Sequence, residues 1–480
     1  MAFVRYNSPM VQVFIVGMVC FCCPGMFNAL TGMGGTGQSS TKAAANASTA
    51  TAVTFTLCSL IGAPLYNIFG HRVMIPAALT YVLYVGAFLS SSYAFTIAAG
   101  AILGIGAGFL WTAQAGIMMS YPAEQDKGKA FSVFWMVFNL DDSKRLVIRG
   151  ATIGAVIPLA NEWNSGPKSA VKSSTYIAFM VIMTFGALLT LALLPSNKVV
   201  RSDGSRVSFH KISNWKRECV EVLRLFKDPR MLILIPLFAG SNWFYTYQFN
   251  GINAPGFMSI RARALNNFLY WLFQIIGAGL FGVFLDSSKV GTRKARAIYG
   301  NIVTLVILTA LWIATIFIQK GYTRESLLEP SYVKLDVTDP KYPGIVVVYS
   351  LFGLIDAMYQ GYIYWLLGTM TNDVERAARY GGFYKTIQNA CKAVADQLEA
   401  TEVAYMTQLI VIFSINTVGL LLAFIVAKGV PDVTVETIEN LEDGHAVGTL
   451  VGGQLENIGD ENGSVHMNER LSNKAEKSQV

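Results

Sequence analysis

A carboxylate in an otherwise apolar segment is the residue of this chain most able to do chemistry. Asp356 is flanked by apolar residues, and Gln360 follows one helical turn later. Because burying a carboxylate in an apolar environment is costly, such a residue by default marks an ion or solute pathway, a proton relay or a charge pair. The pattern therefore predicts either reversible protonation during a transport cycle or a static ion pair or hydrogen bond between helices.

A polar stripe follows in the next apolar segment. Its residues are spaced by three, one, three and four positions, which places them on one face of a helix. Lys392 and Asp396 are spaced to neutralise each other on one helix face. This leaves Lys385, the other lysine of the stripe, to pair with Asp356 across the bundle. The stripe either lines a water-filled cavity or belongs to a helix end that lies partly outside a membrane. Its members are Lys385, Gln388, Asn389, Lys392 and Asp396.

Aromatic and amide side chains form a second group that fits solute binding. Such groups hold neutral polar solutes by stacking and hydrogen bonding. Trp and Tyr also mark membrane interfaces, so interfacial anchoring is the alternative. Trp111 and Gln114 are a smaller pair of the same kind. The larger group comprises Asn242, Trp243, Tyr245, Tyr247, Gln248, Asn250 and Asn253.

Long uncharged runs must position these residues. The segment Met10–Leu30 contains no charged residue, and comparable runs recur about a dozen times along the chain. Such runs are long enough to cross a membrane, because a helix of about 20 apolar residues spans the bilayer core. The 480 residues are 53% hydrophobic and 14% charged, whereas soluble domains carry about 25% charged residues. The sequence therefore predicts an all-α polytopic membrane protein. The expected spans are about 10–30, 48–69, 73–91, 93–119, 131–160, 175–195, 231–250, 265–285, 297–318, 344–367, 381–401 and 406–427.

The spans divide into two sets of six. Residues 196–230 carry nine Lys/Arg and four Asp/Glu and form a basic central loop. We expect an N-terminal half at 1–195, a C-terminal half at 231–427 and a disordered acidic tail at 428–480, in the layout of a parallel-repeat transporter. Lys and Arg collect on cytoplasmic loops, which predicts that both termini are cytoplasmic.

Each half has a turn after its second span, and both turns contain a polar residue followed by basic residues. They contain Asn67, Gly70 and Arg72 in the first half, and Asp286 and Arg293 in the second. This pattern is suited to a gate that locks helix ends by charge and dipole, although ordinary basic loops have the same composition. On this topology the sequon Asn46-Ala-Ser48 lies in the first outward loop and predicts glycosylation at Asn46.

Enzyme chemistry is not indicated. No Asp or Glu precedes Glu124, the four histidines lie outside the spans, and no Cys/His cluster or Walker A sequence occurs. Gly32-Met-Gly34-Gly-Thr-Gly37 matches a dinucleotide fingerprint in letters, but it follows a membrane-length helix and lacks the downstream acidic residue. We expect no metal, cofactor or nucleic-acid partner. The glycine run predicts a tightly turning exit from the first span or a plain loop.

The chain resembles the major facilitator superfamily, in its twelve spans, basic central loop and paired turns. Within that superfamily it is similar to the UNC-93-like branch, particularly its fungal members. Three segments carry this likeness, which covers most of residues 1–430: Asn28-Ala-Leu-Thr-Gly-Met-Gly-Gly-Thr-Gly37, Arg261-Ala-Arg263-Ala-Leu-Asn266-Asn267 and Tyr380-Gly-Gly-Phe-Tyr-Lys385. The branch includes transporter-like proteins, a potassium-channel regulator and a receptor escort, so the resemblance implies a fold without deciding between transport and partner regulation.

The fifth span departs from this pattern. Five charged residues at 141–149 separate the apolar pieces Phe131–Leu140 and Gly150–Leu159. Each charge at a helix centre costs about 2.5–3.5 kcal/mol to insert, so an unbroken lipid-facing helix is excluded. The nine residues loop out, form a re-entrant break or reflect retained intron sequence.

The leading hypothesis is a secondary transporter of the major facilitator type that works by alternating access. Asp356 and the polar stripe would couple ions or contact charged groups, and the aromatic and amide residues would contact an unidentified small solute. The alternative is a regulator or chaperone of a partner membrane protein that transports nothing. The sequence does not distinguish the plasma membrane from a vacuolar or endosomal membrane.

Overall fold

The computed structural model describes residues 5–28, 41–90, 92–138, 173–201, 204, 207, 215–254, 256–439, 446–451 and 454–457. Apart from three strands near the C-terminus, the regular structure of these residues is helical. The helices are α1 (Pro9–Cys20), α2 (Thr41–Phe69), α3 (Met74–Ala87), α4 (Tyr93–Ser120), α5 (Lys127–Phe138), α6 (Ser173–Leu189), α7 (Trp215–Arg224), α8 (Pro229–Ile233), α9 (Ile235–Tyr247), α10 (Ile260–Asp286), α11 (Arg293–Gln319), α12 (Arg324–Leu328), α13 (Tyr342–Met370), α14 (Val374–Ala400) and α15 (Tyr405–Lys428).

Seven helical segments among the described residues are long and apolar enough to cross a membrane, which confirms an integral, multi-pass protein. α14 is not among them, because the polar stripe lowers its hydropathy. The expected count of twelve spans is therefore not established. The interrupted part of the fifth span, including residues 141–149, lies outside the described residues, as does the glycine run at 32–37. The seven segments are Pro9–Asn28, Asn46–Ala87, Tyr93–Ser120, Arg261–Asp286, Arg293–Gln319, Tyr342–Met370 and Tyr405–Lys428.

The helices form two sets that follow the order of the chain. In the N-terminal set, α4 packs against α2 and α3, and α1 packs against α5. In the C-terminal set, α10 and α11 pack against α13, and α9 and α11 pack against α15. The sets meet where α14 lies against α2 and α4, and where α5 lies against α10. The polar stripe on α14 therefore lies at the boundary between the sets, as does α10, which ends at the predicted gating residue Asp286.

Small residues let α4 approach its neighbours closely. A Cβ added to Gly104 would lie 2.0 Å from Thr54 Oγ1 of α2, and one added to Gly106 would lie 2.1 Å from Thr80 Oγ1 of α3. Gly108 meets the backbone of α2 in the same way. Helices in membranes associate through such small-residue contacts. The three glycines are packing residues of α4.

Several of the helices that carry the site begin at a side-chain cap, which fixes where each one starts. Ser92, Ser259, Thr292 and Asp373 precede α4, α10, α11 and α14, and each side chain accepts a hydrogen bond from a backbone N–H in the first turn. These N–H groups have no partner inside the helix, so a capping oxygen stabilises the helix by about 0.5–2 kcal/mol.

The described part of the chain after α15 contains three short strands. Three strands, β1 (Val435–Glu439), β2 (Ala446–Val451) and β3 (Gln454–Asn457), form an antiparallel sheet in the order β1-β2-β3. Val435 pairs with Val451, and Gln454 also pairs with Val451 from the other side. β-branched and apolar positions in these short segments favour pairing despite the acidic bias. Residues 458–480 lie outside the described residues.

Candidate functional site

Asp356 lies at the middle of α13, and its side chain is 1% exposed. Its carboxylate accepts hydrogen bonds from Tyr245 Oη at 2.6 Å, from Tyr270 Oη at 3.1 Å and from Gln360 Nε2 at 2.7 Å. Gln274 Nε2 is a fourth donor. All four donors are neutral, and no ion pair joins Asp356 to a cation in the described part of the chain. The carboxylate is thus solvated by side-chain dipoles from α9, α10 and α13.

The hydrogen-bond network around this carboxylate reaches the N-terminal set of helices. Trp135 Nε1 of α5 donates to Gln274 Oε1 at 3.1 Å, and Gln274 in turn donates to Asp356. Tyr270 Oη also lies 2.9 Å from Gln248 Oε1, in the π-helical turn after α9. A relative movement of the two sets would therefore change the hydrogen bonding of the carboxylate through Gln274.

Lys385 is a second buried charge at the boundary between the sets, with 4% of its surface exposed. Its ammonium donates to Gln388 Oε1 at 2.8 Å and lies 4.7 Å from the ring centroid of Trp111. The rings of Tyr384 and Tyr364 lie 4.9 Å and 5.5 Å from it. Aromatic faces attract a cation through their quadrupole, more strongly when water is excluded.

The expected pairing of Asp356 with a lysine across the bundle is not found among the described residues. Asp356 is held by four neutral donors, and Lys385 by three aromatic rings and an amide. Two buried groups of opposite charge are thus held separately.

Two further residues of the polar stripe, Gln388 and Asp396, contact α9, whereas Asn389 and Lys392 bond within α14. Gln388 Nε2 donates to Ser241 Oγ at 2.8 Å, and Asn389 Nδ2 donates to the Lys385 carbonyl at 2.8 Å. Lys392 and Asp396 form the ion pair that their spacing predicts, and both remain about one-third exposed. Thr246 Oγ1 donates to Asp396 Oδ1 at 2.7 Å, a contact that the sequence did not indicate.

The other predicted solute contacts differ in their surroundings. Gln114 Oε1 accepts from Tyr364 Oη at 3.2 Å, which links α4 to α13. Tyr245 and Gln248 belong to the network around the carboxylate. Asn242 is half-buried and makes no hydrogen bond within the described residues, so it is not part of this cluster.

A second polar cluster joins the two sets at one end of the bundle. Asp286, the last residue of α10, accepts from the backbone N–H groups of Gly128 at 2.8 Å and of Lys129 at 2.5 Å. These are unpaired donors at the start of α5, where the helix dipole favours a negative charge. Asp286 of the C-terminal set therefore caps a helix of the N-terminal set.

Glu124 and Lys127 extend this cluster. Glu124 Oε1 accepts from Arg293 Nη1 at 3.1 Å and from Asn372 Nδ2 at 2.6 Å. The Lys127 ammonium donates to the Asn372 side chain at 2.8 Å and to the Thr371 carbonyl at 2.9 Å. Burial alone raises the pKa of Glu124, but Arg293 and the donors around it outweigh this effect, so the pKa lies below its ordinary value. We call the contacts of Glu124 and Lys127 with the C-terminal set, together with the contact of Asp286 with the start of α5, the inter-set latch.

The two predicted gating turns have unequal roles. Asp286 and Arg293 both belong to the inter-set latch. In the first half, Gly70 has φ 64°, which suits its turn, while Arg72 is exposed and forms no ion pair in the described ranges. Asn67 is buried and its Nδ2 donates to Glu218 Oε2 at 2.8 Å.

Glu218 connects the sets by a further route. It lies on α7, in the basic central loop, and is fully buried between Asn67 of α2 and Arg379 of α14. Arg379 pairs with both Glu218 oxygens. Sequence reasoning missed Glu218 and Arg379, because the composition of α7 is that of a solvated, charged loop helix. The available signal was Glu218 itself, a glutamate that faces the apolar side of α7.

Asn46 lies in the first turns of α2 rather than in a loop. Its side chain is exposed, and its Nδ2 lies 2.5 Å from Tyr93 Oη. The described ranges contain no cluster of three or more His, Cys, Asp or Glu side chains that could hold a metal ion.

The arrangement of helices resembles a solved Major Facilitator Superfamily transporter, FucP, determined in the outward conformation, with a TM-score of 0.59. The match covers 89% of this chain and 100% of that one at 12% sequence identity, so it shows the fold. The protein is therefore a multi-pass membrane protein with the major facilitator fold.

The particular family follows from the sequence. Residues 38–427 match the family described as ion channel regulatory protein UNC-93. The chain is 44% identical over 422 residues to UNC93-like protein 1 of Arabidopsis thaliana, covering 86% of this chain and 89% of that protein. An UNC93-like protein of Schizosaccharomyces pombe is 37% identical over 407 residues, covering 84% of this chain and 78% of the relative. The chain belongs to the UNC-93 family, as its three resemblance segments predicted.

Proposed function

We propose that this protein is a secondary transporter that moves a small polar solute by alternating access between its two sets of helices. The observation that carries the proposal is the fully buried carboxylate of Asp356, linked through Gln274 to Trp135 of the other set. A mid-helix carboxylate is costly and persists in membrane proteins mainly at ion or solute pathways. In this proposal Asp356 binds a proton or the solute.

The separate solvation of the two buried charges supports this role. A static structural pair would place Asp356 against Lys385, which would offset part of the desolvation cost of each. Here neutral groups hold both charges, so an entering solute has an anion and a cation to engage. Both charges belong to the C-terminal set, but Trp111 of the N-terminal set lies over Lys385, and Trp135 of that set reaches Asp356 through Gln274. Binding between the charges would therefore be coupled to both sets, as alternating access requires.

The remaining features of the proposal concern topology. Twelve spans divide at the basic loop 196–230, both termini are cytoplasmic, and the inter-set latch then closes the cytoplasmic end. Asn46 is a glycosylation acceptor if the start of α2 faces outward. No catalytic role is assigned to any residue, and neither a cofactor nor a resident metal is part of the proposal.

Solute-induced stabilisation of the purified, full-length protein tests the proposal. Its melting temperature is measured with sugars, amino acids, nucleosides, metal salts and siderophores, because a ligand that binds the native state raises apparent stability by mass action. We expect at least one dose-dependent rise that Asp356→Asn abolishes. Asp396→Asn is the matched control: Asp396 is one of the pathway residues that the sequence predicts, but its carboxylate is partly exposed and paired with Lys392, so this proposal gives it no part in solute binding.

A second candidate function is regulation of a partner membrane protein. The observation that favours it is the description of the matching family as ion channel regulatory protein. Under this alternative, a second membrane protein co-purifies at fixed stoichiometry, and neutralising Asp356 leaves that association intact. A panel without any thermal shift, together with such a partner, overturns the transporter proposal.

A further inference from the structure

The segment that follows the last membrane helix contacts both sets of helices at the inter-set latch. α15 ends at Lys428, and Gly429 and Pro431 turn the chain back toward the bundle. Residues Val430–Thr434 then lie across the latch, and Thr434 is 4% exposed. We call residues 430–434 the C-terminal strap.

Thr434 is the residue of the strap that joins the two sets. Its backbone N–H donates to Glu124 Oε1 at 3.1 Å, on the N-terminal set. Its hydroxyl donates to the Thr369 carbonyl at 3.0 Å and accepts from Arg293 Nη1 at 2.9 Å, both on the C-terminal set. The same side chain therefore touches α13 and α11 while its backbone contacts the loop before α5.

Asp432 fixes the strap at a second point. Its Oδ1 accepts from the backbone N–H of Arg293 at 3.0 Å, at the first turn of α11. A carboxylate at that position meets an unpaired N–H and the positive end of the helix dipole. Val433 lies between the two contact residues and is 43% exposed, so only alternate residues of the strap face the latch.

From these contacts we infer that the C-terminal strap, anchored on the C-terminal set by Asp432 and the Thr434 side chain, reaches across to Glu124 and helps to hold this end of the bundle closed. Glu124 is shared between Arg293, Asn372 and the strap backbone, so separation of the sets breaks the contact of the strap with Glu124 as well. The strap continues directly into β1, so a partner or modification that displaces the tail would release this end. The inference rests on the proposed function, since it gives the opening of this end a role in transport.

Hydrogen exchange at the start of α5 reads out the opening of this end. The N–H groups of Gly128 and Lys129 are protected by Asp286 of the other set, so their exchange rate rises with the open population. The full-length protein in lipid nanodiscs is compared with Asp432→Ala/Thr434→Val. Val433→Ala is the matched control in the same strap, and Asp286→Ala supplies the rate of the unprotected amides.

The double variant removes the three hydrogen bonds that anchor the strap to the C-terminal set, so the strap no longer ties that set to Glu124. We expect exchange at Gly128 and Lys129 at least about tenfold faster, with Val433→Ala unchanged. Equal exchange in the double variant and Val433→Ala, with fast exchange in Asp286→Ala, overturns the inference. If exchange is faster in the double variant but neither the original protein nor any variant moves a solute, the strap still holds this end closed. That result overturns the transporter proposal instead.

Discussion

Asp286 Oδ1 lies 2.8 Å from the backbone nitrogen of Gly128, although 158 positions separate the two residues. The carboxylate ends one helix of the C-terminal set and caps the first turn of a helix in the N-terminal set. The contact therefore depends on the relative position of the sets and breaks when they separate at this end.

Replacing Asp286 by Asn tests the energetic value of this cap. The amide retains one acceptor oxygen but loses the charge and the second acceptor, and hydrogen bonds to charged groups contribute about 1.5–3 kcal/mol. We expect stability to fall by about 1–2 kcal/mol, measured as a lower melting temperature in detergent. Asp126→Asn, which removes an exposed pair with Lys129 at 3.7 Å, is the control and should change stability by less than about 1 kcal/mol. Equal effects would contradict the capping role.

Close packing of α4 predicts that Gly104→Ala is harmful. The added Cβ would meet Thr54 Oγ1 at 2.0 Å and the Thr51 carbonyl at 2.3 Å, so the two helices must move apart. We expect a loss of about 1–3 kcal/mol, seen as lower expression of monodisperse protein and a lower melting temperature. Gly279→Ala, also inside a membrane helix, meets only Met136 Sδ at 3.7 Å and should be tolerated. Comparable losses in both variants would show that helix propensity or insertion, rather than packing, decides the result.

The inter-set latch should keep its Glu124 contacts down to mildly acidic pH. Because the pKa of Glu124 is lowered in the folded protein, its contribution is complete above the ordinary carboxyl pKa of about 4.3 and is lost as pH falls through the lower, folded value. Glu124→Gln should therefore lower the melting temperature equally at pH 7.5 and pH 5.5. Below about pH 4 the difference between the variant and the original protein should shrink. A difference that has already vanished at pH 5.5 would contradict this assignment.

Lys385→Met separates stability from function. A buried charge without an ionic partner is costly, and a Met of similar shape retains the contacts with Trp111, Tyr364 and Tyr384. We expect an unchanged or higher melting temperature together with loss of the solute-induced shift. Lys392→Met serves as the control, because it removes a partly exposed partner of Asp396 and should leave the solute response in place. A strongly destabilised Lys385→Met protein would assign Lys385 a structural role.

Patterns that repeat along one element were predictable from the sequence. Charge-free runs predicted the membrane segments, and helical spacing predicted the ion pair of Lys392 with Asp396. The burial of Asp356 followed from the same reasoning, because a residue at the middle of a membrane-length apolar helix lies far from water. The helical spacing of four placed Gln360 next to it.

Contacts between distant elements were not predictable, because no local spacing records them. Glu124 with Arg293, Glu218 with Arg379, and Thr434 with Glu124 join residues from different parts of the chain. Lys385 appeared free to pair with Asp356, but the rings of Trp111 and Tyr364 converge on it only in the folded bundle. The sequence therefore indicated which groups were unusual and left their partners open.

Uptake of solutes into proteoliposomes tests the central claim most directly. The full-length protein is reconstituted and offered a defined mixture of sugars, amino acids, nucleosides and organic acids under an imposed pH gradient, and the lumen is analysed by mass spectrometry. The account predicts that at least one solute accumulates, that Asp356→Asn abolishes accumulation and that Asp396→Asn retains it. Absence of accumulation for every solute, or equal accumulation with Asp356→Asn, would contradict the assignment of Asp356 to a transport pathway.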